Sequence, residues 1–386
     1  NAAWIGQNVI SVGGAIDWHM TVNDEKNTIE SALDEVPTSI DVVLCTGGLG
    51  PTHDDITSSV LYDYFGAKPE FDEQYWQLLT KKFAARDQVI PDINRNQAMK
   101  PDIGEVIPNP IGSARGLHLS NKSYHLFAMP GVPAEMKSMM TDTILPWIES
   151  RSKSKIHVTV MRTTGIMESV LYEKVQGILD DYPQINVAFL PRFTGVDIRL
   201  TTSDKNTLNR LVDQISPVIQ KYHFGGEGVE LEDVVGKLLI KNRKTIATAE
   251  SCTGGLIGDR LTNISGSSLY YKGGIVAYSN SVKEKTIGVK KETLDSAGSV
   301  SEETALEMAR GIRNKLNADI GLSTTGIAGP KGGTKEKPVG LVYIAISYDR
   351  SEKVYRFTFT PYRKTNKLMT SQAALNITRI HILNGL

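Results

Sequence analysis

Short apolar runs alternate with amphipathic stretches along the whole chain. Ile40-Asp41-Val42-Val43-Leu44-Cys45 is mostly apolar, the pattern of a strand buried on both faces in a parallel sheet. Tyr124-His125-Leu126-Phe127-Ala128-Met129 reads the same way and ends at Pro130-Gly131-Val132-Pro133. Around these runs the period lengthens to that of a helix. Helices are predicted from Asn27 to Val36, with Ile29 and Leu33 on one face, from about Ile56 to Phe65, and from Ala134 to Glu149. Ala15 to Val22 is predicted as a strand. Such strand–helix alternation implies a doubly wound α/β domain, whose ligands bind beyond the carboxyl ends of the strands.

The pattern changes at the polar link Glu149-Ser150-Arg151-Ser152-Lys153-Ser154-Lys155, which places a first domain at residues 1–150. A strand from Ile156, a helix Ser169–Leu179, strands Asn186–Leu190 and Val196–Thr201, and a helix carrying Leu208, Leu211, Val212 and Ile215 make a small α+β linker module, 151–226. Phe224-Gly225-Gly226-Glu227-Gly228 marks a second boundary, with His223 as its hinge residue. A separate α/β domain, 227–386, opens with a helix carrying Leu231, Val234, Val235, Leu238 and Leu239. It continues with a short strand over residues 244–249 and a helix carrying Leu256, Ile257 and Leu261. Its next helix, with Ala305, Met308, Ile312 and Leu316, has Ser301 as cap and Glu302 and Glu303 in the first turn. Strands Val339–Ser347 and Lys353–Thr360 and a helix with Met369, Ala373, Ile377 and Ile380 complete the domain.

A chain of 386 residues is long for one core, so more than one domain is expected. Lys plus Arg and Asp plus Glu balance at 43 each, which argues against a surface built for nucleic acid. Cys45 and Cys252 are the two cysteines and provide neither a disulfide framework nor zinc spacing. No apolar run is long enough to span a bilayer, and no signal peptide is read. A cytoplasmic protein without membrane partners is expected, with a homodimer as the default assembly. The chain opens at Asn1, without a Met, directly in what reads as a helix.

Two groups of residues carry candidate chemistry. Thr46-Gly47-Gly48-Leu49-Gly50-Pro51-Thr52-His53-Asp54-Asp55 joins a buried strand to a helix. Glycines let backbone N–H groups approach a phosphate, and two carboxylates can hold Mg²⁺ against it. A tight turn before a helix with an acidic start has the same pattern. Asn109-Pro110-Ile111-Gly112-Ser113-Ala114-Arg115-Gly116 and Met129-Pro130-Gly131-Val132-Pro133-Ala134-Glu135-Met136 are two further small-residue turns, and the three together suit a phosphorylated or pterin-like ligand.

In the last domain, Ser251 and Cys252 lie in a strand-to-helix turn, Lys272–Asn280 ends in polar residues with Lys283 just beyond, and Ser323–Pro330 runs into a glycine turn. A serine hydroxyl needs a base, and a lysine serves when its ammonium loses its proton easily. Lys283 is the candidate base, and the N–H groups of Thr253 or Gly254 could steady an oxyanion. A solvated loop lysine is the competing reading. A thiolate is the better nucleophile, but one turn aims only one of two neighbouring side chains at a pocket, so Ser251 is preferred and Cys252 is expected to pack inward.

The strings at 46–55, 109–116 and 130–136 resemble the CinA (competence/damage-inducible) family, whose first domain is similar to the molybdopterin-binding fold. The resemblance implies a metal-dependent ADP-ribose pyrophosphatase. Thr46, Gly47, Gly48, Gly50, Asn109, Gly112, Pro130 and Gly131 would surround the nucleotide, and a divalent ion, Mg²⁺ or a transition metal, would sit at Asp54 and Asp55. The family begins with a strand upstream of a Thr–Asn pair, of which only the Asn is present, as Asn1, so that strand is expected to be missing and this site incomplete.

Glu250-Ser251-Cys252-Thr253-Gly254-Gly255, Tyr278-Ser279-Asn280 followed by Lys283, and Gly326-Ile327-Ala328-Gly329-Pro330 resemble the family's nicotinamide-nucleotide amidohydrolase domain. The resemblance implies hydrolysis of nicotinamide mononucleotide to nicotinate mononucleotide and ammonia by a Ser251/Lys283 dyad, without a cofactor. Glu250, Thr253, Gly254, Gly255, Tyr278, Ser279 and Thr325 would form the pocket, and the turn Gly326 to Gly329 would cradle the phosphate. Two alternatives stand beside this: a first domain that only binds a nucleotide or pterin, and an accessory factor in competence.

Overall fold

The computed structural model describes residues 1–152, 156–349 and 351–385; Lys153, Ser154 and Lys155 of the polar link lie outside them. Two compact units result, Asn1–Ile156 and His157–Leu386.

The first unit contains β1 (Val42–Thr46), β2 (Pro69–Phe71), β3 (Met99–Pro101), β4 (Glu105–Ile107), β5 (Gly116–Ser120) and β6 (His125–Met129). Its main sheet has the order β1-β6-β5-β4, with β2 and β3 as a separate pair. The apolar runs behave as buried strands. Val43, Cys45, Leu126 and Ala128 face the cluster built on Ile29, Leu33, Val60 and Leu61, while Val42, Leu44, Phe127 and Met129 face the one built on Met136, Met139, Ile144 and Ile148. Helices on both faces give the expected α/β architecture. The parallel pairing is confined to β1 and β6, and β4, β5 and β6 run antiparallel. The turn between β5 and β6, where Asn121 Oδ1 accepts from the N–H groups of Ser123 and Tyr124, is too short for a crossover.

Two predicted elements differ. No strand forms over residues 15–22, where Ile16, Trp18, Met20 and Val22 are exposed. Strand propensity needs a neighbouring strand to pair with, and none lies there among the described residues. The helix expected over 134–149 is interrupted: Pro133–Met139 passes through a π-turn, Met140–Ile144, into Leu145–Glu149. Pro146 has no N–H to give to the preceding turn, which accounts for the widening.

The second unit holds two sheets. In the smaller, β7 (His157–Thr163), β8 (Asn186–Arg192), β9 (Gly195–Thr202) and β10 (His223–Gly225) are ordered β10-β7-β9-β8, all antiparallel. Helices Glu168–Leu179 and Lys205–Ile219 supply Leu171, Val175, Leu208, Leu211 and Ile215 to its core. In the larger, β11 (Ile246–Glu250), β12 (Tyr271–Val276), β13 (Ile320–Gly326), β14 (Leu341–Tyr348) and β15 (Ser351–Thr358) are ordered β12-β11-β13-β14-β15. β11 lies parallel to both neighbours and is buried along its whole length. One face packs on helices Leu231–Lys241, Leu256–Thr262 and Arg363–Leu383, the other on helix Glu302–Lys315. Ser301 caps that last helix by accepting from Thr304 N–H, as its sequence predicts.

The stretch around His223 is not a hinge. β10 pairs with β7, and Arg379 in the last helix donates to the carbonyls of Lys221 and His223. Arg162 donates to the Glu230 carboxylate and the Val229 carbonyl, and Phe224 packs against the core of the larger sheet. These bonds staple the two sheets into one unit.

Candidate active site

β11 delivers Ser251 at its carboxyl end, and the following turn is held from both directions. Ser251 N–H donates to the Thr324 carbonyl of β13 at 2.9 Å. The Glu250 carboxylate, 2% exposed, accepts from the N–H groups of Gly255, Ile257 and Gly258 at 2.8–3.1 Å. It therefore satisfies the start of the next helix and does not face a ligand. Gly254 and Gly255 adopt φ of +62° and +92°, a left-handed turn that a side chain would strain. Thr253 is fully buried with its hydroxyl 2.7 Å from that of Thr324. Cys252 packs into the core beside Ile257 and Leu261, and burial pushes its thiol up to about 12. It remains a protonated thiol at neutral pH, and Ser251 is the side chain that lies against Lys283.

Lys283 reaches Ser251 from the next loop. Ser279 caps the short helix Asn280–Val282, accepting from Val282 N–H, so its hydroxyl has a local role. Lys283 then opens a π-turn, Lys283–Ile287. Its side chain is 1% exposed, and its Nζ lies 3.0 Å from Ser251 Oγ, 2.8 Å from the Ala277 carbonyl and 3.3 Å from the Tyr278 carbonyl. Burial pulls the amine below the ordinary lysine range. A neutral amine has two N–H donors and one lone pair. As an ammonium Lys283 has a donor for each of these three oxygens, and in its neutral form the two carbonyls would take both donors and leave the lone pair to the serine hydroxyl.

The cavity outside this pair is lined by Tyr278, Ser299, Thr325, Gly326 and Arg363. Thr325 is fixed by donating its hydroxyl to the Ser299 carbonyl at 2.5 Å. A Cβ at Gly326 would come within 2.6 Å of the Leu341 carbonyl, and one at Gly329, where φ is +87°, within 2.3 Å of the Pro361 carbonyl. Both glycines permit close backbone packing at the rim. Arg363 donates to the Tyr278 hydroxyl at 2.5 Å and to the Gly329 carbonyl at 3.2 Å. Sequence reasoning missed Arg363 and Ser299. One signal for the first was available: Arg363 and Lys364 begin a helix with no acid in its first turn, where the dipole disfavours cations.

The fold thus brings together Ser251, Lys283, Tyr278, Thr325 and Gly326, with Gly329 at the rim. It places Glu250, Thr253 and Ser279 in supporting contacts and not on the cavity wall. Cys252 also borders the cavity, whereas Thr253 does not.

In the first unit, the three turns also meet. Gly47 N–H donates to the Met129 carbonyl, and a Cβ on Gly131 would lie 3.6 Å from Gly47 Cα. The Asn1 side chain donates to the Gly131 carbonyl and approaches the Thr46 hydroxyl at 3.5 Å. Asn109 accepts from Ile111 and Gly112 N–H and donates to Glu135, in the helix that follows Pro130 and Gly131. Gly48 has φ of +65° and packs on Thr57; Gly50 packs on Asp55. The two aspartates differ. Asp55 accepts from both the N–H and the hydroxyl of Thr52, whereas Asp54 is 79% exposed beside His53. Among the described residues no group of three His, Cys, Asp or Glu gathers as a metal cage. The oxygen donors suit a hard ion such as Mg²⁺, which would need ligand phosphates and water to complete its shell. No helix among the described residues is long and apolar enough to cross a membrane.

Comparison with known proteins covers the chain in three segments. Residues 1–150 match the family described as "Probable molybdopterin binding domain", 158–225 "Damage-inducible protein CinA KH domain", and 229–382 "CinA C-terminal domain". The chain is 40% identical to the "CinA-like protein" of Chloroherpeton thalassium, with 100% of this chain and 95% of that protein aligned. It is 38% identical to the "Putative competence-damage inducible protein" of Halothermothrix orenii, over 97% of this chain and 92% of that one. Among solved structures, the competence/damage inducible protein CihA from Agrobacterium tumefaciens is 37% identical, covers 40% of this chain and 96% of its own, and has a TM-score of 0.38.

Proposed function

The chain belongs to the CinA family, and from that premise we propose that its last domain is a serine amidohydrolase acting on nicotinamide mononucleotide. The observation that carries this reading is the buried Lys283 amine 3.0 Å from Ser251 Oγ, with two main-chain carbonyls also within hydrogen-bond reach. Lys283 takes the Ser251 proton as Oγ attacks the carboxamide carbon, and a backbone N–H of the turn that follows Ser251 would steady the oxygen that gains charge. The ammonium then returns the proton to the departing nitrogen, releasing ammonia and leaving an ester on Ser251. Water attacks that ester, Lys283 accepts its proton, and the serine leaves with a proton as nicotinate mononucleotide departs. While charged, Lys283 is held by Ala277 and Tyr278. Arg363 at the rim suits the anionic end of the substrate.

Ammonia release from nicotinamide mononucleotide tests this. Ser251→Ala should abolish release and Cys252→Ala should keep most of it; the reverse result would transfer the nucleophile to the thiol, and no release by folded wild type would end the substrate assignment.

For the first domain the reading is a divalent-ion-dependent ADP-ribose pyrophosphatase, supported by the meeting of its three glycine turns. Asp54 and Asp55 would hold the ion, which when bound would draw charge from the pyrophosphate. Asn1, Gly47 and Gly131 would position the nucleotide. AMP release from ADP-ribose that stops with chelator and falls at least ~10-fold in Asp54→Ala is expected. Nucleotide binding without cleavage would instead make the domain a binding module.

A further inference from the structure

Thr253 carries a hydroxyl in a place where valine would fill the same volume. Both Thr253 and Thr324 are fully buried, and their hydroxyls are 2.7 Å apart. A buried hydroxyl is tolerated when it finds a partner, and here each is the other's partner. Their positions matter more than their pairing. The Thr324 carbonyl takes the N–H of Ser251, so one residue of β13 grips the turn on both sides of Cys252, at Ser251 through its backbone and at Thr253 through its side chain. Glu250 holds the other end of the turn, at Gly255, Ile257 and Gly258.

We propose that Thr253 is a positioning residue for the nucleophile: its hydroxyl, paired with that of Thr324, clamps the turn onto β13 and so fixes Ser251 Oγ against Lys283 Nζ. This rests on the reading of Ser251 as the nucleophile. The clamp touches no substrate, because Thr253 has no exposed surface. Its effect therefore falls on the chemical step. Displacing a nucleophile by about 1 Å costs on the order of 100-fold in rate.

The test compares wild type, Thr253→Val, Thr253→Ser and Thr324→Val in the full chain. Three readouts are used: acylation of Ser251 by 4-nitrophenyl acetate, ammonia release from nicotinamide mononucleotide, and melting temperature. Thr253→Val should lower kcat by about 10- to 100-fold with KM within about two-fold, Thr253→Ser should restore most of the loss, and the two valine changes together should cost little more than either alone. A folded Thr253→Val with wild-type acylation, or a Thr253→Ser as slow as the valine variant, would overturn the proposal. Should Thr253→Val not fold, Thr324→Val breaks the same bond from the other side; should neither fold, the pair serves the fold alone and the proposal fails. Wild type that acylates without releasing ammonia would sink the substrate assignment while the acylation rates still decide the clamp. Wild type that does neither would remove both.

Discussion

The chemistry of Lys283 follows from where its amine is placed. Its folded pKa is lowered by burial, so the active neutral form appears at lower pH than for a free lysine, whose ordinary value is 10.5. The folded state then binds fewer protons than the unfolded chain in the window below 10.5, and this group's contribution to stability rises with pH there. Amide hydrolysis should accordingly rise with pH on a limb that lies below 10.5, measured as kcat/KM. A rate that declines with pH through that window would contradict a lysine base. At this scale the sequence is informative about residue type and weak about direction. Ser251 and Lys283 stand out because a hydroxyl and an amine follow strand ends. Glu250, Thr253 and Ser279 have the same neighbourhood, but consecutive side chains in a turn point to different places, and hydrogen bonds to local N–H groups and to Thr324 decide where these three go. Arg363 comes to the cavity from the start of the last helix, a juxtaposition that only the folded chain creates.

Elements are more legible than side chains, because a buried strand or an amphipathic helix is written in many positions at once. β1, β6, β11 and the helix Glu302–Lys315 all form where their apolar patterns place them. The failure at residues 15–22 is instructive, since a strand is defined by its neighbour and a single segment does not reveal whether it has one. Helix Glu302–Lys315 shows what an element demands in return. A Cβ at Gly321 of β13 would come within 2.0 Å of the Ala309 carbonyl and 2.7 Å of Arg313 Cβ, so the helix can lie this close only over a glycine. Gly321→Ala should cost about 1–3 kcal/mol by overpacking. For a protein unit of this size that is a fall in Tm of about 2–4 °C per kcal/mol. Gly321 lies at the end of β13 opposite Thr325, so kcat should change little. An unchanged Tm would mean that the helix can lift without loss.

For the whole molecule, composition and charge bound the class, while the joints between modules resist reading. The polar link and the glycine-rich stretch at 224–228 differ in composition, yet both read as domain boundaries. The chain divides into its compact units near the first, at Ile156/His157, yet across the second it stays within one unit. Arg379, Arg162 and Phe224 make the difference, each bonding or packing across that second stretch, and Arg379 lies far downstream of it.

Lys283 is 1% exposed, and the cleft beside Ser251 is where it borders open space. Lys283 shares the wall of that cleft with Ser251, so a molecule that fills the cleft covers the amine together with the hydroxyl. On the proposed reading, bound product would cover both members of the pair at once, and the next cycle would begin only after the cleft empties.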